Sequence, residues 1–252
     1  MIPVTLPRTA LITGSARRLG RAIAEALAEQ GFAIALHCNT SHKEAEALAA
    51  TLPTPTVVLT ADLANPAEVQ SLIPDAAAAL GPIGVLINNA STFGRDEWDT
   101  VTPETWDGHM DPNLRAPFTL IQAFARQLPA EATGAVINLL DQRVWSLTPH
   151  FVSYTVSKAA LWALTRQMAL ALAPRIRVNA IGPGPALPSP RQTPEQFAQQ
   201  CASTPLGHGT SPAEIAAAAL AILSLPAMTG QMIALDGGQH LQWQSGHGGA
   251  TE

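Results

Sequence analysis

The chain is poor in charge, in aromatic rings and in sulfur, and each shortage closes off a class of function. Only 13% of its 252 residues are charged, with 14 Lys and Arg against 19 Asp and Glu, a formal net charge of −5. A balance of that sign provides no general footprint for nucleic acid or an anionic membrane, so neither is predicted as a partner. The two cysteines, Cys38 and Cys201, stand far apart and match no metal or redox spacing. They read as idle thiols in a reducing cytoplasm, with no bound metal. No apolar run is long enough to span a bilayer, and residues 1–7 lack the basic-then-apolar order of a signal peptide. Aromatic residues make up 5%, with a single tyrosine, Tyr154. What the chain does have is 47% hydrophobic residues, rich in alanine, enough for a substantial core of helices packed on a sheet.

Apolar runs and turn residues alternate along the whole length. Strands are predicted over 10–13, 32–37, 56–60, 83–87, 134–140, 175–181 and 231–236. Helices are predicted over 21–30, 44–52, 66–80, an interrupted 103–129, a segment through Tyr154 and Lys158, 194–201 and 214–225. No repeat and no linker breaks the alternation. The chain therefore reads as one α/β domain over 1–252, a doubly wound parallel seven-stranded sheet with helices on both faces. Ligands of such sheets bind beyond the C-terminal ends of strands, where Gly14, Asp62, Asn88, Asp141 and Gly182 fall. The proline- and glycine-rich stretch 183–210 reads as a substrate loop, and 239–252 as a polar, glycine-rich tail.

Two motifs carry chemistry. A strand, a turn from Gly14 to Gly20 and a helix start form the context in which backbone N–H groups and a helix dipole hold a pyrophosphate. Arg18 stands where that fingerprint usually has its middle glycine. After the second strand no acid follows until Glu44; Asn39, Thr40 and Ser41, with Arg17 and Lys43 nearby, suit a ribose 2′-phosphate better than a free hydroxyl. The second motif is Tyr154-x-x-x-Lys158, one turn apart on a helix and so on one face. An ammonium beside a phenol lowers its pKa, which predicts a proton donor or acceptor tuned toward neutral pH.

These pieces, with Asp62, Asn88-Asn89-Ala90, Asn113, Arg177-Val178-Asn179, Pro183-Gly184 and Asp236-Gly237-Gly238, resemble the short-chain dehydrogenases/reductases over essentially the whole chain. The resemblance implies a Rossmann-type fold, an NAD(P)H-dependent enzyme and a homotetramer. It makes Tyr154 the general acid in reduction and Lys158 its tuning partner and a ligand of the nicotinamide ribose. It gives Asn113 a water that relays protons. The cofactor would be held by Gly14, Arg17, Arg18, Leu19, Gly20, Asn39, Asp62, Leu63, Asn89, Ala90, Ser91, Pro183 and Gly184.

Two departures narrow the comparison. The family's usual serine, thirteen residues before the tyrosine, is Asp141, and the first-turn glycine is Arg18. With Phe93, both resemble the pteridine reductases and dihydromonapterin reductases. There the arginine sits over the pyrophosphate near the pterin, the aromatic stacks on its ring, and the aspartate works with the tyrosine in protonating a ring nitrogen. On this reading Arg18, Ser91, Phe93, Asp141 and Tyr154 meet the substrate, and the cofactor is NADPH. The competing readings are a cap or an ion pair with Arg143 or Arg18 for Asp141, and a core position for Phe93. For the whole chain they are a carbonyl reductase of the same family or a cofactor-binding protein without turnover. Pro112, beside Asn113, removes an N–H and threatens the proton relay.

Overall fold

The structure, a computed structural model, describes residues 1–189 and 192–241. Its first half runs β1 (Thr9–Ile12), α1 (Arg18–Glu29), β2 (Ala33–Cys38), α2 (His42–Ala49), β3 (Thr56–Thr60), α3 (Pro66–Leu80) and β4 (Val85–Asn88). The second half runs α4 (Pro103–Met110), α5 (Ala116–Gln127), β5 (Gly134–Leu139), α6 (Val152–Ala171), β6 (Ile176–Pro183), α7 (Pro194–Ala202), α8 (Pro212–Ser224) and β7 (Met232–Leu235). Among the described residues the strands form one parallel sheet in the order β3-β2-β1-β4-β5-β6-β7. The chain leaves β1 toward one edge and β4 toward the other. That reversal opens a crevice between their C-terminal ends.

The strands read as near-continuous apolar runs because both faces are covered; every residue of β5 is buried. Alternate residues serve opposite layers. Ala10, Ile12, Ile34, Leu36 and Ile137 pack against α1, α2 and α8. Leu11, Ala35, Leu86 and Val136 pack against α3, α5 and the end of α6. Each fully buried leucine or isoleucine contributes about 1.5–3 kcal/mol. The helix starts have local caps: Asn65 accepts from Ala67 N, and Thr102, Thr193 and Ser211 close capping boxes, each followed by proline; the starts at 66, 103 and 194 are as expected, and α8 begins two residues before the expected 214.

Two expectations need correction, and a third is met and takes a definite form. β6 runs two residues further than predicted, to Pro183, which is in register with Leu235 of β7. Ala180 N and Gly184 N both donate to the β7 side, so the N–H that Pro183 lacks would face the other side, beyond the end of β5. The interruption in 103–129 is a π-helical turn, Asp111–Arg115, which accommodates Pro112 without breaking the run into α5. The first residues of the expected tail, Gln239–Leu241, form a 3₁₀ turn held by Asp236, which accepts from Gly238 N and His240 N. Residues 242–252 lie outside the described residues. No described helix is long and apolar enough to cross a membrane, and no cluster of metal-ligating side chains occurs among the described residues.

Candidate active site

Two cavities meet at the crevice. The first, of about 510 Å³, lies at the ends of β1 to β4. Each predicted cofactor residue of this half lines it: Gly14 and 17–20 in the turn, Asn39 after β2, Asp62 and Leu63 after β3, and 89–91 after β4. Gly14 has φ +63°, and a Cβ there would stand 3.0 Å from Ala90 Cα; at Gly20 one would stand 2.4 Å from Gly14 O. A side chain is therefore excluded at Gly20 and strained at Gly14. Asn89 Nδ2 donates to Thr13 O at 2.8 Å and Gly14 O at 3.0 Å, pinning the end of β4 onto the turn. α1 begins with no side-chain cap and no acid in its first turn. Its free N–H groups and positive dipole end are left for an anion in the cleft.

Arg18 adopts φ 56°, the left-handed region that a glycine would enter without cost. Its guanidinium donates to Pro188 O at 2.9 Å and Leu187 O at 3.2 Å, and it lines both cavities. Arg18 therefore straps the loop after β6 to the turn after β1 and makes no ion pair with Asp141. His37 was missed by sequence reasoning, although a polar residue ending an apolar strand beside the glycine turn was a signal. Gly14 N donates to its Nδ1 at 3.1 Å, so Nε2 carries the proton toward Ala61 O at 3.0 Å. Burial lowers its pKa and keeps it neutral. Arg17 is exposed and reaches Glu44 at 3.7 Å, a weak pair that an entering phosphate can displace.

The second cavity, of about 600 Å³, is lined by Phe93, Asp141, Arg143, Phe151, Pro183 and Gly184, among others. Tyr154 Oη donates to Asp141 Oδ2 at 3.0 Å. Asp141 Oδ1 accepts from Arg143 N at 2.9 Å, and Oδ2 also lies 3.2 Å from Arg143 Nη1. Asp141 is thus a turn cap, an ion-pair partner and the acceptor for the tyrosine at once. Tyr154 is 6% exposed and lines neither cavity. Lys158, 2% exposed, donates from Nζ to Leu139 O at 2.8 Å at the end of β5 and stands 5.9 Å from the centre of the tyrosine ring.

The expected tuning is corrected by this geometry. Burial and the charge of Asp141 raise the Tyr154 phenol well above its ordinary value, outweighing Arg143. The ammonium of Lys158 lies over the ring and is itself lowered to about 8 by burial, against the pull of Asp141. Below pH about 8 folded and unfolded chains both carry the lysine charge, and only the folded chain buries it, so the cost to stability is fully present. As pH rises toward the unfolded value of about 10.4 the folded chain sheds its proton first and the cost fades. Lys158→Met is therefore expected to raise Tm at pH 7 by about 2–4 °C for each kcal/mol relieved, with the gain shrinking toward pH 10 in a thermal melt series.

Asn113 is fully buried. Its Oδ1 accepts from Thr92 N at 2.8 Å and Ser91 Oγ at 3.1 Å, and its Nδ2 donates to Thr92 O and Ser157 Oγ, both at 3.0 Å. Every valence of the amide is spent tying the loop after β4 to α6, so a relay water would have to use its backbone carbonyl. Ser91 lines the first cavity and not the second. Phe93, 36% exposed, stacks on Phe151 at 4.9 Å and 7° and meets the Tyr154 ring edge-on at 4.7 Å. Arg143 lies 4.9 Å from the Phe151 ring and 5.6 Å from that of Phe93. Phe151 was not foreseen; Arg143 was foreseen as an ion-pair partner of Asp141 and not as a neighbour of the two rings.

A doubly wound sheet with a glycine turn, a phosphate-ready helix start and a Tyr–Lys helix beside the crevice defines a dinucleotide-dependent oxidoreductase. The family profile described as Enoyl-(Acyl carrier protein) reductase matches residues 14–240. The chain belongs to the short-chain dehydrogenase/reductase family and is an NAD(P)H-dependent oxidoreductase. It is 31% identical over 244 residues to the 3-oxoacyl-[acyl-carrier-protein] reductase FabG of Staphylococcus aureus, covering 94% of this chain and 99% of that one. It superposes with TM-score 0.93 on FolM alternative dihydrofolate reductase 1 from Brucella canis complexed with NADP, at 44% identity over 97% of this chain and 99% of that one. A blue fluorescent protein from a metagenomic library, in complex with NADPH, superposes with TM-score 0.85 at 30% identity, over 93% and 98% of the two chains.

Proposed function

We propose that this enzyme reduces a dihydropterin-type C=N bond with NADPH. The observation that carries the reading is the shared carboxylate: Asp141 holds the hydroxyl of Tyr154 at 3.0 Å, on the wall of a cavity faced by Phe93. Reduction of C=N needs a proton on nitrogen, and a carboxylate–phenol pair holds and relays a proton where a serine cannot easily do so. Phe93 and the guanidinium of Arg143 offer a flat, cationic-edged surface for a bicyclic ring. The 44% identity with the FolM protein supports the same reading.

NADPH fits the first cavity: the Gly14 to Gly20 turn and the uncapped start of α1 would hold its pyrophosphate, and Arg17, Asn39, Thr40 and Ser41 its 2′-phosphate. Bound there, it supplies the hydride. Lys158 would hold the ribose and Tyr154 would deliver the proton. A phosphate monoester carries about −1.5 to −2 charges, and a hydrogen bond to a charged group contributes about 1.5–3 kcal/mol. NADPH should therefore be preferred over NADH by about tenfold or more in kcat/KM. Equal values for the two cofactors would count against this assignment. As a homo-oligomer, part of the same reading, the enzyme should elute in light scattering above the mass of one chain.

A second reading, a carbonyl reductase, is favoured by the near-complete alignment with the S. aureus FabG. Turnover of dihydrobiopterin, dihydromonapterin and dihydrofolate, set beside a 3-oxoacyl thioester, decides between them. No pterin turnover with brisk reduction of the thioester would sink the first reading.

A further inference from the structure

We propose that Asp96, Ser153 and His109 form a buried, one-directional hydrogen-bond strap that positions Phe93 and Phe151 against Tyr154 and so sets the affinity for a flat substrate. The second half of this statement rests on the proposed use of the cavity for a flat ring. Asp96 and His109 are each 4% exposed and Ser153 is fully buried. None of the three lines either cavity, so they are positioning residues.

The direction of the strap follows from what each group can do. Gly94 N can only donate, and it points at His109 Nε2 at 2.9 Å. A neutral imidazole accepting there carries its proton on Nδ1, which donates to Ser153 Oγ at 2.6 Å. The serine hydroxyl then turns its own hydrogen to Asp96 Oδ2, with which it makes a short contact. Asp96 Oδ1 accepts from Ser153 N at 3.2 Å, and its backbone carbonyl accepts from Phe151 N at 2.9 Å.

This arrangement solves a problem at the start of α6. Phe151 precedes the helix in the left-handed region, φ 60°, and provides no side-chain cap. Asp96, from the loop after β4, caps the helix from outside and brings a negative charge to its positive end. Segment 94–96 is thereby sewn to segment 151–153. Phe93 and Phe151 lie next to the two seams, and Tyr154 follows the second. The stacked pair therefore has little freedom to move relative to the phenol. The hydroxyl itself is anchored separately by Asp141.

Asp96→Asn tests the direction as well as the existence of the strap. Whichever way the new amide is turned, its NH₂ sets one donor against another somewhere along the strap. Set against Ser153 N, it opposes an N–H. Set against Ser153 Oγ, it turns the hydroxyl toward His109 and drives the imidazole proton to Nε2, against Gly94 N. The variant should raise KM for a dihydropterin about tenfold. It should leave kcat within about threefold and the Kd of NADPH unchanged, because the Asp141, Lys158 and Gly14 contacts are untouched. Deuterium exchange should quicken at the amides of Gly94, Phe151 and Ser153. Adding His109→Glu supplies a carboxylate that accepts from both Gly94 N and Ser153 Oγ, and should return KM and exchange most of the way to the parent.

Unchanged KM and exchange in Asp96→Asn overturn the proposal. So does a parallel shift of KM, kcat and NADPH affinity, or a double variant no better than the single one. Should Asp96→Asn fail to fold, Ser153→Ala, which deletes the middle link without adding a donor, is scored on the same readouts. If no pterin is reduced, the assigned function falls alone; exchange and the KM for whichever carbonyl compound is turned over still judge the strap.

Discussion

Tyr154→Phe is expected to lower kcat by about 10²–10⁴, the contribution of a positioned proton donor, while leaving the fold and NADPH affinity nearly intact. Burial and Asp141 keep the phenol protonated through the neutral range, so the parent enzyme needs no alkaline shift to have a proton to give. Removing the hydroxyl takes one hydrogen bond from Asp141 Oδ2, which keeps Arg143 Nη1 at 3.2 Å, while Oδ1 keeps accepting from Arg143 N. That loss costs about 1 kcal/mol, or about 2–4 °C in Tm. Lys158 keeps its bond to Leu139 O, so the ribose contact should survive. Single-turnover rates, Tm and NADPH titrations on one preparation check all three points. A variant that retains most of its turnover removes Tyr154 from the role.

The second large effect concerns Asp141. Asp141→Ser replaces a carboxylate shared by Tyr154 and Arg143 with the hydroxyl that most of the family carries there. Pterin turnover should fall by at least about tenfold. Reduction of a simple ketone should fall less, or rise, because a hydroxyl can still hold a carbonyl oxygen. Asp141→Asn should also lose pterin activity: the amide keeps the size and can accept from Tyr154, yet it cannot exchange a proton. Parallel kcat/KM measurements with a dihydropterin and a ketone give the answer. Both variants matching the parent on pterins would exclude the carboxylate from the chemistry.

How far the site was legible depends on how local its causes are. The sheet, its two covered faces and the crevice followed from apolar runs of the right length punctuated by Gly31, Gly81 and the capping residues, all features of neighbours in sequence. Gly14, Asn88 and Asp141 were placed at the crevice because they sit at strand ends. The pKa of Tyr154 went wrong for a physical reason. Spacing put Lys158 near the ring and said nothing about depth, and burial and the charge of Asp141 outweigh that neighbour. The competing roles weighed for Asp141, cap, ion pair and tyrosine partner, proved not to compete, since a carboxylate has enough lone pairs for all of them. Asp96, His109 and Ser153 passed as ordinary polar residues because their partners lie 44 and 57 positions away in sequence.

Arg18 belongs to the cofactor turn by its backbone and to the substrate loop by its guanidinium, through the carbonyls of Leu187 and Pro188. One residue thus links the turn to the loop, and through it ligands bound in the two cavities would become thermodynamically interdependent. If a bound dinucleotide steadies the turn, the strapped loop is steadied with it, and the second ligand meets a site whose ordering entropy has already been spent. Linkage also requires that the factor by which NADP tightens a pterin analogue equal the factor by which the analogue tightens NADP. Calorimetric titration in both orders measures that factor, and Arg18→Ala should bring it close to one. A factor unchanged in that variant would show that the interdependence runs through some other part of the molecule.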